Sequence, residues 1–191
     1  DFGCSDAKEA TITGPDAELN ITAEHTDVKC NKDVNGAIRL AVTGGTTATV
    51  GGSTGLYYYK YNEQSWPADL STWSQTVAAS TKPVAVKYSN AGALQNEWPA
   101  GSYLITVRDA NGCEKAVTVE VAEPDPISFS FASTNVTIEG GANGTISISD
   151  VVGGTPAYTL EWGNVDAAGN FTPDGNYQDQ YTRRNLAAGI Y

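Results

Sequence analysis

Three groups of side chains in this sequence are of types that could carry chemistry. The first is Cys4, Cys30 and Cys113. Cys4 and Cys113 each follow the glycine of a similar turn phrase, so they hold one position of a recurring pattern. Cys30–Cys113 is expected as a disulfide within one module, with Cys4–Cys30 as the competing pairing, since sequence alone does not decide connectivity. On a chain-entropy account, closing the longer loop would contribute ~4 kcal/mol. None of the cysteine spacings matches a zinc site. The second group is Asp33, Asp109, Asn111 and Asp174, which lie in or near turns. Clustered oxygens of this kind can hold calcium. The same side chains also shape turns by bonding nearby backbone, and this reading is favoured because no EF-hand spacing is present. The third group is Trp66 and Trp73, preceded by Tyr57, Tyr58, Tyr59 and Tyr61. Exposed indoles could stack on sugar rings. The competing expectation is that alternate tyrosines enter a core and the tryptophans cover a sheet edge.

Catalysis finds little to work with. His25 is the only histidine, so no Ser-His or Cys-His pair can recur from module to module. No nucleophile elbow, phosphate loop or metal-binding helix occurs, and the chain is read as a non-enzyme with no catalytic residues. The net charge is −11, with 22 Asp and Glu against 11 Lys and Arg. Nucleic-acid binding needs a basic stripe to displace counterions, and this sequence has none. No apolar run is long enough to enter a membrane. Asn-x-Thr triplets at Asn20, Asn135, Asn143 and Asn170 are read as products of an Asn- and Thr-rich composition.

These residues must be positioned by strands. Ile38, Leu40 and Val42 alternate with Ala37, Arg39 and Ala41, and Tyr103, Ile105 and Val107 alternate with Leu104, Thr106 and Arg108. Val117, Val119 and Val121 repeat the pattern, as do Ile127, Phe129 and Phe131. Period-two alternation predicts strands with one buried and one wet face. No stretch carries a helical stripe. Short strands separated by Gly, Asn and Asp turns predict an all-β protein, with about seven strands per module in a β-sandwich.

Parts of the sequence return. Residues 98–113 read WPAGSYLITVRDANGC; Asp1-Phe2-Gly3-Cys4 matches the end of that phrase and Leu186-Ala187-Ala188-Gly189-Ile190-Tyr191 its beginning. Asn35-Gly36-Ala37-Ile38 recurs as Asn143-Gly144-Thr145-Ile146, Gly44-Gly45-Thr46 as Gly153-Gly154-Thr155, and Pro15-Asp16 as Pro124-Asp125. Internal repetition of this kind marks a tandem array. The expected organisation is the end of a preceding module over 1–14, a complete module over 15–123 and a truncated one over 124–191. The chain would then be a window from a longer polymer, with proline-stiffened joints at Gly14-Pro15-Asp16 and Glu123-Pro124-Asp125-Pro126. Ala100-Gly101-Ser102-Tyr103 resembles the tyrosine corner of immunoglobulin-like sandwiches, and Asp109-Ala110-Asn111-Gly112 should turn into the next strand.

Taken together, these motifs resemble the SprB repeat of Bacteroidetes cell-surface proteins. That family runs from a cysteine through Asn-Gly, Gly-Gly-Thr-Pro-Tyr and an aromatic strand to Leu-x-Ala-Gly-x-Tyr and Asp-x-Asn-Gly-Cys. Its cysteines fall on Cys30 and Cys113, and its closing phrase on Ala100, Gly101, Tyr103, Val107, Asp109, Asn111 and Gly112. The last third shows Gly153-Gly154-Thr155-Pro156-Ala157-Tyr158, then Trp162, then Leu186 to Tyr191. Trp98 stands where the family has Leu, and residues 62–97 form an enlarged segment. The resemblance implies tandem immunoglobulin-like modules forming the stalk of a very large secreted adhesin on a bacterial surface. Gliding motility or attachment would be the context and type IX secretion the export route. Implied partners are neighbouring repeats of the same chain, an external surface or polysaccharide, and secretion or gliding components. The alternative expectation is a carbohydrate-binding module using Trp66 and Trp73 of the enlarged segment. Strand exchange between molecules, through residues 1–14, is a third.

Overall fold

The alternating stretches do form strands. The computed structural model describes residues 8–11, 14, 17–62, 64–71, 73–90, 93–95, 97–175 and 180–191, and contains fifteen strands and no α-helix among them. The protein is all-β. By internal contacts it divides into two units, one of Asp1–Val28 with Asp33–Ala122 and the other of Lys29–Lys32 with Glu123–Tyr191.

The first unit holds β1 (Asn20–Thr26), β2 (Ala37–Thr43), β3 (Ala48–Val50), β4 (Ser53–Tyr61), β5 (Thr76–Ala78), β6 (Ser80–Ala85), β7 (Tyr88–Asn90), β8 (Ala93–Gln95), β9 (Gly101–Arg108) and β10 (Glu114–Val121). One sheet runs β1-β2-β6; another runs β10-β9-β4-β3, with β5 also on β4; β7 and β8 pair with each other. Their inner faces form one core. Ile38, Leu40 and Val42 of β2 meet Tyr57, Tyr59 and Tyr61 of β4, Ile105 and Val107 of β9, and Val119 and Val121 of β10. Burying a side chain of this size stabilises by roughly 1.5–3 kcal/mol, so this alternation is a main force holding the two sheets together.

Trp98 closes one end of that core. It is fully buried, bridges Gly36 and donates its indole N–H to the Val86 carbonyl at 2.9 Å. Its ring stands edge-on to Tyr103 at 4.9 Å and near Tyr61 at 5.1 Å. Glycine is required opposite it, because a Cβ on Gly36 would lie 2.6 Å from the Trp98 carbonyl oxygen.

The second unit holds β11 (Ser128–Thr134), β12 (Gly144–Val152), β13 (Gly163–Val165), β14 (Phe171–Pro173) and β15 (Thr182–Leu186). Its sheet runs β11-β12-β15, and β13 pairs with β14. The β11–β12 register shifts between Ser128 and Ser130, where β12 carries an extra residue near Asp150, whose φ is 53°.

The two units reuse the same bonds. Gly45 donates to the Ala17 carbonyl at 2.8 Å, and Gly154 to the Asp125 carbonyl at 2.6 Å. The Tyr57 hydroxyl donates to the Gly44 carbonyl at 2.6 Å, as Tyr158 does to Gly153 at the same distance. Tyr103 donates to the Pro99 carbonyl at 2.9 Å, and Tyr191 to the Ala187 carbonyl at 3.0 Å. Gly36 faces Trp98 where Gly144 faces Leu186.

One expectation fails. The pattern of Ile127, Phe129 and Phe131 predicts a buried face, yet these side chains are 62%, 56% and 69% exposed. Their counterparts Leu19 and Ile21 are buried at 5% and 9%. Alternation produces the strand, but burial also needs a second layer over that face, as β9 and β10 provide in the first unit.

Candidate functional site

Asp109, just after β9, is a buried carboxylate held by several hydrogen bonds. Its side chain is 1% exposed. Oδ1 accepts the backbone N–H groups of Asn111 at 3.0 Å and Cys113 at 2.8 Å, folding the Asp109–Gly112 turn. Oδ2 accepts the N–H of Thr46 at 3.0 Å, and Ala110 N–H donates to the Thr46 carbonyl at 2.8 Å. Asn111 adds a bond from Nδ2 to Thr46 Oγ1 at 2.9 Å. A Cβ on Gly45 would lie 2.8 Å from Oδ2, so the close approach depends on glycine. Gly45 also has φ +57°, which favours glycine. Buried carboxylates need compensating donors, and here three backbone amides from two loops supply them. The nearby Tyr57 phenol is raised above the ordinary tyrosine value, mainly by burial and secondarily by the Asp109 charge.

In this arrangement Asp109 and Asn111 build the turn and tie it to Thr46. Asp33 accepts the Asn35 side-chain amide at 3.0 Å. Asp174 accepts a 2.7 Å ion pair from Arg183, whose guanidinium also lies over the Tyr191 ring at 5.0 Å. Among the described residues, no three His, Cys, Asp or Glu side chains gather into a metal-sized cluster.

The cysteines do not form the expected bond in this structure. Cys30 and Cys113 are exposed, free thiols, and they belong to different units. Cys30 lies in the Lys29–Lys32 loop, pinned within the second unit by Asn31 Nδ2 to the Pro124 carbonyl at 3.1 Å. Cys113 is fixed by its own N–H to Asp109. Cys4, with Pro15 and Asp16, lies outside the described residues.

Trp66 and Trp73 pack on the protein itself. They meet edge to face at 6.2 Å, both half-buried. Trp73 Nε1 donates to the Tyr59 carbonyl at 3.0 Å. Lys60 Nζ and the Arg108 guanidinium lie 5.2 and 5.7 Å from the Trp66 ring, a cation–π arrangement on the outer side of β4 and β9. Part of the enlarged segment therefore covers the outer face of that sheet, which also explains why Tyr58 is buried although it alternates away from the core. His25 lies 3.6 Å from Asp27 on the surface.

Sequence reasoning missed the tie between Asp109 and Thr46. The signal was the joint presence of Gly44-Gly45-Thr46 and Asp109-Ala110-Asn111-Gly112-Cys113, two phrases singled out separately. Comparison with family models, with characterised proteins and with solved structures gave no match.

Proposed function

We propose that this chain is a stretch of tandem immunoglobulin-like β-sandwich modules related to the SprB repeat. Its role is that of a stalk segment in a very large secreted adhesin on a bacterial surface, serving gliding or attachment. The observation that carries this reading is the recurrence of one set of backbone-directed bonds: Tyr57 with Tyr158, Tyr103 with Tyr191, and Gly45 with Gly154. Repetition of architectural bonds, rather than of reactive groups, suits a polymer that spans distance. The Asp109 carboxylate accepts three backbone N–H groups and holds two loops together. Load entering a module would be carried by its ladder bonds and by such ties.

The carbohydrate-binding alternative lacks a comparable support. Trp66 and Trp73 are half-buried, set edge to face, and engaged by Tyr59, Lys60 and Arg108. Two experiments test the proposal. Antibody raised against the chain should label intact cells of its source, and labelling only after lysis would overturn the surface assignment. The isolated chain should give no saturable binding across a glycan panel; binding lost on Trp66→Ala would move the assignment to a lectin-like module.

A further inference from the structure

Three asparagines in this chain are followed directly by glycine: Asn35, Asn111 and Asn143. An Asn-Gly pair can react with itself, because glycine has no side chain to shield its backbone nitrogen from the preceding side-chain amide. The fold holds the three pairs differently. Gly36 is buried, and its N–H donates to the Trp98 carbonyl at 3.0 Å in the bridge that closes the core. Gly144 is also buried and opens β12, where it pairs with Leu186. The Asn143 side chain is held at both ends: Oδ1 accepts the Thr137 N–H at 3.0 Å, and Nδ2 donates to Thr137 Oγ1 at 2.6 Å. Asn111, by contrast, is exposed and lies in a turn, outside every strand. Its Nδ2 donates to Thr46 Oγ1 at 2.9 Å on the surface. The N–H of the half-buried Gly112 makes a 3.2 Å turn bond to the Asp109 carbonyl.

We infer that Asn111 is a site of spontaneous deamidation, and that its conversion loosens the tie between the Asp109–Gly112 turn and Thr46. The Gly112 backbone nitrogen gives its proton to solvent hydroxide and attacks Asn111 Cγ. A C–N bond forms, the Cγ–Nδ2 bond breaks and Nδ2 leaves as ammonia, closing a succinimide ring. Water then opens the ring at either carbonyl, leaving aspartate or isoaspartate, with no change of oxidation state. For the attack, Gly112 must release Asp109 and Asn111 must release Thr46, two bonds of one surface turn. The same step at Gly36 must open the core beside Trp98, and at Gly144 the pairing of β12 with β15. Opening a turn costs less than opening a core strand, so the fold directs the reaction to Asn111. The products do not keep the old bonds. Either carboxylate lacks the donor that holds Thr46 Oγ1, and it sets a second negative charge near Asp109. Isoaspartate also adds a methylene to the main chain between the Asn111 and Cys113 amides, both of which donate to Asp109 Oδ1. The inference is independent of the stalk assignment.

The test incubates the whole chain at mildly alkaline pH and follows each Asn-Gly pair by peptide mass spectrometry, with isoaspartate read by enzymatic methylation. Asn111 should convert at least about 10-fold faster than Asn35 or Asn143, the contrast expected where a turn opens more readily than a strand. In the urea-unfolded chain the three pairs should convert at similar rates, which assigns the contrast to the fold. Thr46→Val keeps the backbone N–H that donates to Asp109 but removes the hydroxyl that holds Asn111. Conversion at Asn111 should therefore quicken about 5-fold, the worth of one hydrogen bond. Converted chain, separated by ion exchange, should exchange the Thr46 and Cys113 amides about 10-fold faster than fresh chain. Equal rates at the three pairs in the folded chain would overturn the assignment of the site. So would the same contrast in the unfolded chain, or an Asn111 rate that Thr46→Val leaves unchanged. Thr46 exchange unaltered by conversion would overturn the loosening of the tie.

Discussion

Asp109 and Thr46 are joined by a 3.0 Å bond from the Thr46 N–H to Oδ2, across 63 residues of chain. The carboxylate thereby couples the turn after β9 to the Gly44–Thr46 turn after β2. Asp109→Ala would leave three part-buried amide donors without their acceptor. Each orphaned donor costs about 1–3 kcal/mol, so a loss of roughly 3–5 kcal/mol is expected in urea unfolding of the chain. Asp109→Asn should cost less, since one acceptor oxygen remains. A loss below about 1 kcal/mol in Asp109→Ala would show that water replaces the carboxylate.

Calcium should leave the melting temperature unchanged, because the Asp109 oxygens already accept backbone donors and Asp174 is engaged by Arg183. Differential scanning calorimetry with calcium and with chelator gives the answer; an upward shift with calcium would mean that these carboxylates rearrange around the ion.

Gly36→Ala should be strongly destabilising. The added methyl would meet the Trp98 carbonyl and a Val121 methyl carbon, each at 2.6 Å. Relief requires moving Trp98 out of its ring cluster, so a loss of about 2–3 kcal/mol is expected, as for overpacked cores. The check is the midpoint of denaturant unfolding followed by tryptophan fluorescence.

Tyr103→Phe should remove about 1 kcal/mol, the net worth of its bond to the Pro99 carbonyl. Tyr191→Phe removes the equivalent bond to Ala187 at a more exposed site, so its effect should be smaller. Equal losses at the two positions would contradict that ordering.

Stability should fall on the alkaline side. The Tyr59 and Tyr103 phenols are both pushed up to about 12, in each case chiefly by burial. For Tyr59, the Lys87 backbone bond opposes that effect in part. The folded form holds these protons more tightly than the unfolded chain, whose tyrosines titrate near 10. Their contribution is complete below about pH 10 and is lost as pH rises toward 12. Denaturation midpoints measured across that window should decline, and the decline should be shallower in Tyr59→Phe.

Much of this fold was legible because strands write their faces into alternate residues. Ile38, Leu40 and Val42 point inward as their spacing predicts, and so do Tyr57, Tyr59 and Tyr61. Three things were not legible, each for a physical reason. Tyr58 is buried by residues that reach the opposite face of β4 through tertiary folding, which no local pattern records. Phe129 and Phe131 have the right period but no covering layer, and period alone does not specify a partner. Asp109 was read as a local turn former, whereas its second oxygen reaches a loop encoded far away. Trp98, noted only as a departure from Leu, proves to close the core, while Leu186 holds the matching place beside Gly144.

The extra residue in β12 bears on how such a chain can change over generations. More residues separate Gly144 from Gly153 than separate Gly36 from Gly44, yet both glycine turns make the same bonds. An insertion in a strand would ordinarily turn every later side chain to the wrong face. Here the surplus is absorbed at one point near Asp150, and the residues beyond it keep their roles. A strand of this plan therefore tolerates a change in length without losing the bonds at its ends, because a single bulge takes up the difference.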